Sequence, residues 1–260
     1  MKKFVLTVAI LLMAVSLVSA QRVNDSFSSM GSWRPGYGNW SIQSGRLVQS
    51  NTQTGLARIE RRASQSGVYE LEFTIRYVDG GYKSQADLSR GEYHAGCGIH
   101  VGVEGPALGE MAWGAGESDL LWLNLDTREE TRRNHPEHYG FRAQVYESES
   151  NSRMSLARSS LIRQNADLRR VTEEDYVSVD IIAALRNMGV DLSVNDLMRF
   201  LDRDVPINIR VNTRNGEIGV LDPTAPVRFW FPVDPEILEG DYFSLRTNSL
   251  AASFNYFRVE

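Results

Sequence analysis

Residues 69–77 read Tyr69-Glu70-Leu71-Glu72-Phe73-Thr74-Ile75-Arg76-Tyr77. Apolar and polar side chains alternate over the whole stretch, which a helix of 3.6 residues per turn would scatter around its axis. A strand with one buried and one wet face places Tyr69, Leu71, Phe73, Ile75 and Tyr77 together. The text on either side has the same character. Trp40-Ser41-Ile42 and Arg46-Leu47-Val48 flank Gln43-Ser44-Gly45, a hairpin signal in which glycine tolerates positive φ. Cys97–Val103, Leu120–Leu125 and Phe141–Tyr146 are further strand candidates. Strands resume at Ile207–Val211, turn at Asn215-Gly216, continue to Val220, then run Val227–Phe231, Tyr242–Thr247 and Ala252–Val259.

One segment breaks the pattern. Val177, Ile181, Ala184, Leu185 and Met188 recur at helical spacing, with Thr172 placed to cap and Glu173, Glu174 and Asp175 at the positive end. Gly189 suits a left-handed stop, and Ser193 with Asp196 spells a capping box opening a second helix through Leu197, Phe200 and Leu201. Many short strands with no regular strand–helix alternation predict an all-β fold, an antiparallel β-sandwich, with a helical hairpin inserted at about 156–205. Fifty residues are marginal for a core of their own, so 21–260 is expected to be a single domain.

The chain has 260 residues, 42% of them hydrophobic and 23% charged, a globular composition that excludes disordered, collagenous and coiled-coil classes. Its 28 lysines and arginines against 33 acids lack the cationic excess that a phosphate backbone demands, which argues against a nucleic-acid partner. Lys2 and Lys3, the apolar run Phe4–Leu17 and the small residues Val18-Ser19-Ala20 predict a signal peptide over 1–20, hence a periplasmic or secreted protein. No other stretch is long and apolar enough for a membrane span. Cys97 is the single cysteine, so an intramolecular disulfide is excluded and stability rests on the core.

Asp25-Ser26-Phe27 followed by Gly38-Asn39-Trp40-Ser41-Ile42-Gln43-Ser44-Gly45-Arg46-Leu47-Val48-Gln49 resembles the opening strands of concanavalin A-like (lectin/glucanase, laminin-G-like) jelly rolls. Gly240-Asp241-Tyr242-Phe243-Ser244-Leu245-Arg246-Thr247-Asn248 and Ala252-Ser253-Phe254-Asn255-Tyr256-Phe257-Arg258-Val259 resemble their closing strands. The resemblance implies a jelly-roll sandwich. It leaves function open, because this architecture carries lectins, glycosidases, adhesion modules and structural pieces.

Glycosidases of this kind resemble one another in a Glu-x-Asp-x-x-Glu strand. Glu117-Ser118-Asp119-Leu120-Leu121-Trp122 has the first two acids and a tryptophan in the third place, so a catalytic set is not expected and hydrolysis is the weaker reading. Glu70 and Glu72 read as the wet face of their strand. His94, His100, His135 and His138 lack the acids and the spacing of a metal set, Cys97 reads as a small buried residue, and no dense acidic loop offers calcium ligands; no cofactor or metal is expected. Aromatic residues beside glycine make a better case. Trp33, Tyr37 and Trp113 lie in loop-like text and suit stacking against sugar C–H faces, with Asn124 and Asp126, alternating after Trp122, as polar partners. Core packing is the competing reading, above all for Trp40, Trp122 and Trp230. The functional expectation is an exported, non-catalytic carbohydrate-binding protein whose partner is a glycan. The alternative is a structural subunit of a periplasmic or surface assembly, by analogy with spirochaete flagellar-sheath proteins, contacting another exported protein through Met188, Leu197, Met198 and Phe200.

Overall fold

The computed structural model describes residues 22–110, 112–158, 176–187, 189–221 and 228–260. The expected signal peptide, Thr172–Asp175 and Met188 lie outside the described residues. Strands run β1 Val23–Asp25, β2 Trp33–Tyr37, β3 Trp40–Gln43, β4 Arg46–Gln49, β5 Ala57–Gln65, β6 Val68–Gly80, β7 His94–Val103 and β8 Ser118–Asp126. They continue as β9 Gly140–Ser150, β10 Arg153–Leu156, β11 Ser178–Asp180, β12 Val205–Asn212, β13 Glu217–Leu221, β14 Arg228–Pro232, β15 Gly240–Asn248 and β16 Leu250–Val259. Four α-helices, α1 Gln85–Arg90, α2 Glu129–Asn134, α3 Ile181–Asn187 and α4 Val194–Leu201, and two short 3-10 turns, Pro136–His138 and Pro235–Ile237, complete the described elements.

The strands form two antiparallel sheets, an all-β sandwich. Sheet A is ordered β14-β13-β12-β6-β16-β4-β3, with β1 beside β16; sheet B is ordered β10-β9-β8-β7-β15-β5-β2, with β11 beside β9. The first and last described strands meet, because β16 lies between β6 and β4 and also pairs with β1. In β6 the alternation resolves as expected: Leu71, Phe73 and Ile75 enter the core, while Glu70 and Glu72 face outward beside Arg210 and Arg258. The β3–β4 turn takes positive φ at Ser44 (51°) and Gly45 (72°), the mirror-image geometry that matches strand twist.

Trp33 departs from expectation. Pro35 and Gly36 read as loop, yet the chain runs on as an edge strand, where a proline without an N–H is tolerated. Alternation then turns Trp33 inward. It is fully buried between Phe27 and Phe257, with Nε1 donating to Asp25 Oδ2 at 3.1 Å, and cannot face a ligand. Trp40 is likewise core.

The helical segment is shorter than its periodicity suggests. Ser178–Asp180 pair with Gln144, Ala143 and Arg142 of β9, so a ladder from a distant strand claims backbone that local spacing assigns to a helix. α3 starts at Ile181, where Asp180 Oδ1 accepts from the Ala183 N–H at 2.9 Å, and ends before Gly189 at φ +84°. The Ser193–Asp196 capping box forms as read. Leu197 is buried with Leu125, Phe141 and Tyr93, and Met198 packs on the same cluster. Leu197 is thereby covered by its own chain, while Met198 is half-buried on the same cluster. Among the described contact residues Phe200 is the exposed one, at 55%.

Candidate functional site

Sheet B turns one face to the core and presents on the other a row of polar and aromatic side chains. Val145, Leu121, Ile99, Leu245 and Ile59 point inward. By alternation Gln144, Trp122, His100, Ser244, Arg58, Glu60 and Arg246 point outward. Two connecting segments fold over this outer face from opposite ends.

The first follows β7. Arg58 donates to the carbonyls of Ala107 (3.1 Å) and Gly109 (2.9 Å), and Arg246 to those of Ala112 and Trp113, each at 3.0 Å. Glu60 accepts from the Ala107 N–H and pairs with Arg58 Nε at 3.2 Å. Trp113 lies on Arg246, guanidinium carbon 4.9 Å from the ring centroid, and meets His100 edge-on. Burial lowers the pKa of Arg246 to about 9, with Arg58 adding repulsion. Burial likewise holds His100 well below the usual histidine value; its Nε2 lies 2.8 Å from Ser118 Oγ. Half-buried Trp113 is therefore a latch.

The second segment carries α2. Asp126 receives Arg128 and Thr131, Asn124 Nδ2 donates to the His138 carbonyl at 2.7 Å, and Arg142 and Gln144 donate to the carbonyls of Tyr139 and Glu137. Asn124 and Asp126, expected as ligand partners, are buried and engaged in holding this segment. Between the two segments Trp122 lies flat on β7, where glycines at 96 and 98 leave room for its ring, and is 5% exposed. Tyr37 is half-buried at the edge, its carbonyl taken by Trp40 Nε1 at 2.8 Å. Of the expected binding residues, Trp113, Asn124 and Asp126 thus lie on one face and act there as fasteners, while Trp33 is core and Tyr37 lies at the edge.

An open pocket lies over β9 and β10. Glu137, His138, Glu147, Ser155, Leu156, Arg158 and Tyr176 line a pocket of about 390 Å³. Pro136–His138 form a short 3-10 turn that sets Glu137 and His138 at its rim. The His138 ring stacks on Tyr146 (6.1 Å between centroids, 6° between planes), and Nδ1 is 3.1 Å from the tyrosine hydroxyl. Glu137 Oε1 sits 3.5 Å from His135 Nδ1 and 3.7 Å from His138 Nε2. Burial lowers the His138 pKa despite Glu137, so near neutrality the ring is uncharged, and burial raises that of Tyr146. Arg158 and Tyr176 meet as an isolated bridge, the guanidinium carbon 5.8 Å from the ring centroid.

The sequence holds one signal for this pocket, the polar His135-Pro136-Glu137-His138. Nothing local joins it to Arg158 or Tyr176, which only strand pairing brings near. Among the described residues no group of three or more His, Cys, Asp or Glu is placed to hold a metal ion. Half-buried Cys97 packs against the core, and burial pushes its thiol up to about 12.

No protein-family model and no curated protein matches the chain. Solved structures similar to it include the carbohydrate recognition domain of Emp47p, at 14% identity and TM-score 0.48, covering 94% of this chain and 95% of that one. The carbohydrate-binding module CBM66 from Bacillus subtilis is similar at 12% identity and TM-score 0.48, covering 88% and 95%. Peanut lectin is similar at 10% identity and TM-score 0.46, covering 93% and 97%.

Proposed function

We propose that the chain is an exported carbohydrate-binding protein that holds its ligand without turning it over, and that the pocket over β9 and β10 is its sugar site. The composition of that pocket carries the reading. A sugar ring needs an apolar face to stack on and fixed polar groups for its hydroxyls; Tyr176 and the His138–Tyr146 stack supply rings, while Glu137, Glu147, Ser155 and Arg158 supply acceptors and donors. The volume lies within the range of small-molecule sites. Export rests on the signal-peptide pattern of residues 1–20. Among the described residues no helix is long and apolar enough to cross a membrane.

A glycan array probed with residues 21–260 tests this. Array hits followed by calorimetric titration should show saturable binding that Tyr176→Ala or Glu137→Gln weakens about tenfold or more, at unchanged melting temperature. A blank array, or variants that bind like the parent, would reject the pocket. Trp113→Ala is expected to act through stability, since its ring covers Arg246.

A further inference from the structure

The molecule lays an indole flat on a glycine at two places, one on the outer face of each sheet. Trp122 stands opposite Gly98 and Trp230 opposite Gly219. A Cβ added at Gly98 would come 2.9 Å from the Trp122 ring, and one at Gly219 would come 2.5 Å from the six-membered ring of Trp230, so both rings rest directly on backbone. Their fates differ. Trp122 is roofed and 5% exposed, whereas Trp230 is 46% exposed, one face on the sheet and the other toward solvent. Its neighbours Ile218 and Phe231 fill the core, which fixes the outward direction of Trp230.

The strand register sets polar groups beside that ring. Trp230, Gly219, Arg210 and Glu70 form one row across β14, β13, β12 and β6. Arg210 Nη1 is 3.9 Å from Glu70 Oε1, and both side chains are about half exposed (48% and 52%). The described side chains nearest in register on β12 and β13, Asn208, Arg210, Asn212 and Glu217, are all polar. A protein-docking aromatic sits inside an apolar patch; among the described side chains this one has amides, carboxylates and a guanidinium on β12, β13 and β6, with exposed Pro232 and Val68 as the apolar members of the adjacent row. The row spans roughly 14 Å at about 4.8 Å per strand, long enough for several sugar rings in line.

We infer that this row is a second binding surface, on the sheet opposite the pocket, for an extended chain of β-linked pyranoses with equatorial substituents. The flat C–H face of one ring stacks on Trp230, and the edge hydroxyls of its neighbours meet Arg210, Glu70 and the flanking amides. The inference stands independently of the pocket over β9 and β10.

Cellohexaose, xylohexaose and chitohexaose, titrated into the full chain by calorimetry and tryptophan fluorescence, test it. At least one should bind, with Trp230→Ala weakening it about tenfold or more and Trp230→Phe retaining most of the affinity. Gly219→Val, which lifts the ring without removing it, should reproduce the loss, and Tyr176→Ala should leave this binding intact. Failure of all three oligosaccharides to bind the parent, or equal binding by the parent, Trp230→Ala and Gly219→Val, overturns the inference. So does a change of oligomeric state in Trp230→Ala by light scattering without loss of sugar binding, which would make Trp230 a contact between proteins. Loss of binding in Tyr176→Ala with Trp230→Ala unaffected would return the sugar to the pocket and overturn it equally.

Discussion

At the residue scale, His100 shows how an outward-facing side chain becomes interior. Sequence alternation sends it away from the core, and the segment following β7 then seals it beneath Trp113. Its pKa falls well below the ordinary value because the charged ring has no water and Arg246 lies near. The folded state keeps it neutral while the unfolded chain protonates below about 6.5. Stability from this source is whole above that pH and is lost as pH falls through it, by up to about 1.4 kcal/mol per pH unit. His100→Gln should flatten the melting temperature against pH between about 6.5 and 5 relative to the parent; an identical acid slope in both proteins would refute the assignment. Trp33 teaches the complementary point. Glycine and proline beside it suggested a loop, but an edge strand accepts both, and burial followed from strand parity.

At the element scale, the segment after β7 is held by arginines on two different strands. Arg58 of β5 and Arg246 of β15 are buried and bond five backbone carbonyls, those of Ala107, Gly109, Glu110, Ala112 and Trp113. Arg246→Leu removes two of these bonds and the support under Trp113. It should cost about 3 kcal/mol in chemical denaturation and open residues 104–117 to proteolysis. Retained protease resistance with unchanged stability would show the segment to be held by other contacts. None of this was legible beforehand, because Arg58 and Arg246 lie far apart in the chain and carry no motif. Caps were legible: Ser193–Asp196 and Gly189 act within a few residues of themselves. The start of α3 was not, because β9 offered Ser178–Asp180 a ladder.

At the scale of the whole molecule, the main core cluster draws on both sheets and on both ends of the chain, from Val23 and Phe27 to Phe257 and Val259. Leu197 ties the helices to sheet B through Leu125 and Phe141. Our proposal is that residues 21–260 unfold as one unit. Leu197→Ala should then lower the midpoint of a single calorimetric transition, at a cost of about 2–4 kcal/mol; a separate early transition would mark the helical segment as an independent body. Read alone, the sequence determined the antiparallel sandwich, the β3–β4 hairpin, the outward place of Glu70 and Glu72, the Ser193–Asp196 cap and the Gly189 stop, because period, turn chemistry and capping act over a few neighbouring residues. Tertiary structure alone decided which aromatic residues are core, which polar ones are fasteners, and that Glu137, Arg158 and Tyr176 share a pocket while Trp230 stays open. Those outcomes depend on which strands become neighbours and which segments cover them, and strand pairing joins residues whose separation along the chain holds no local signal.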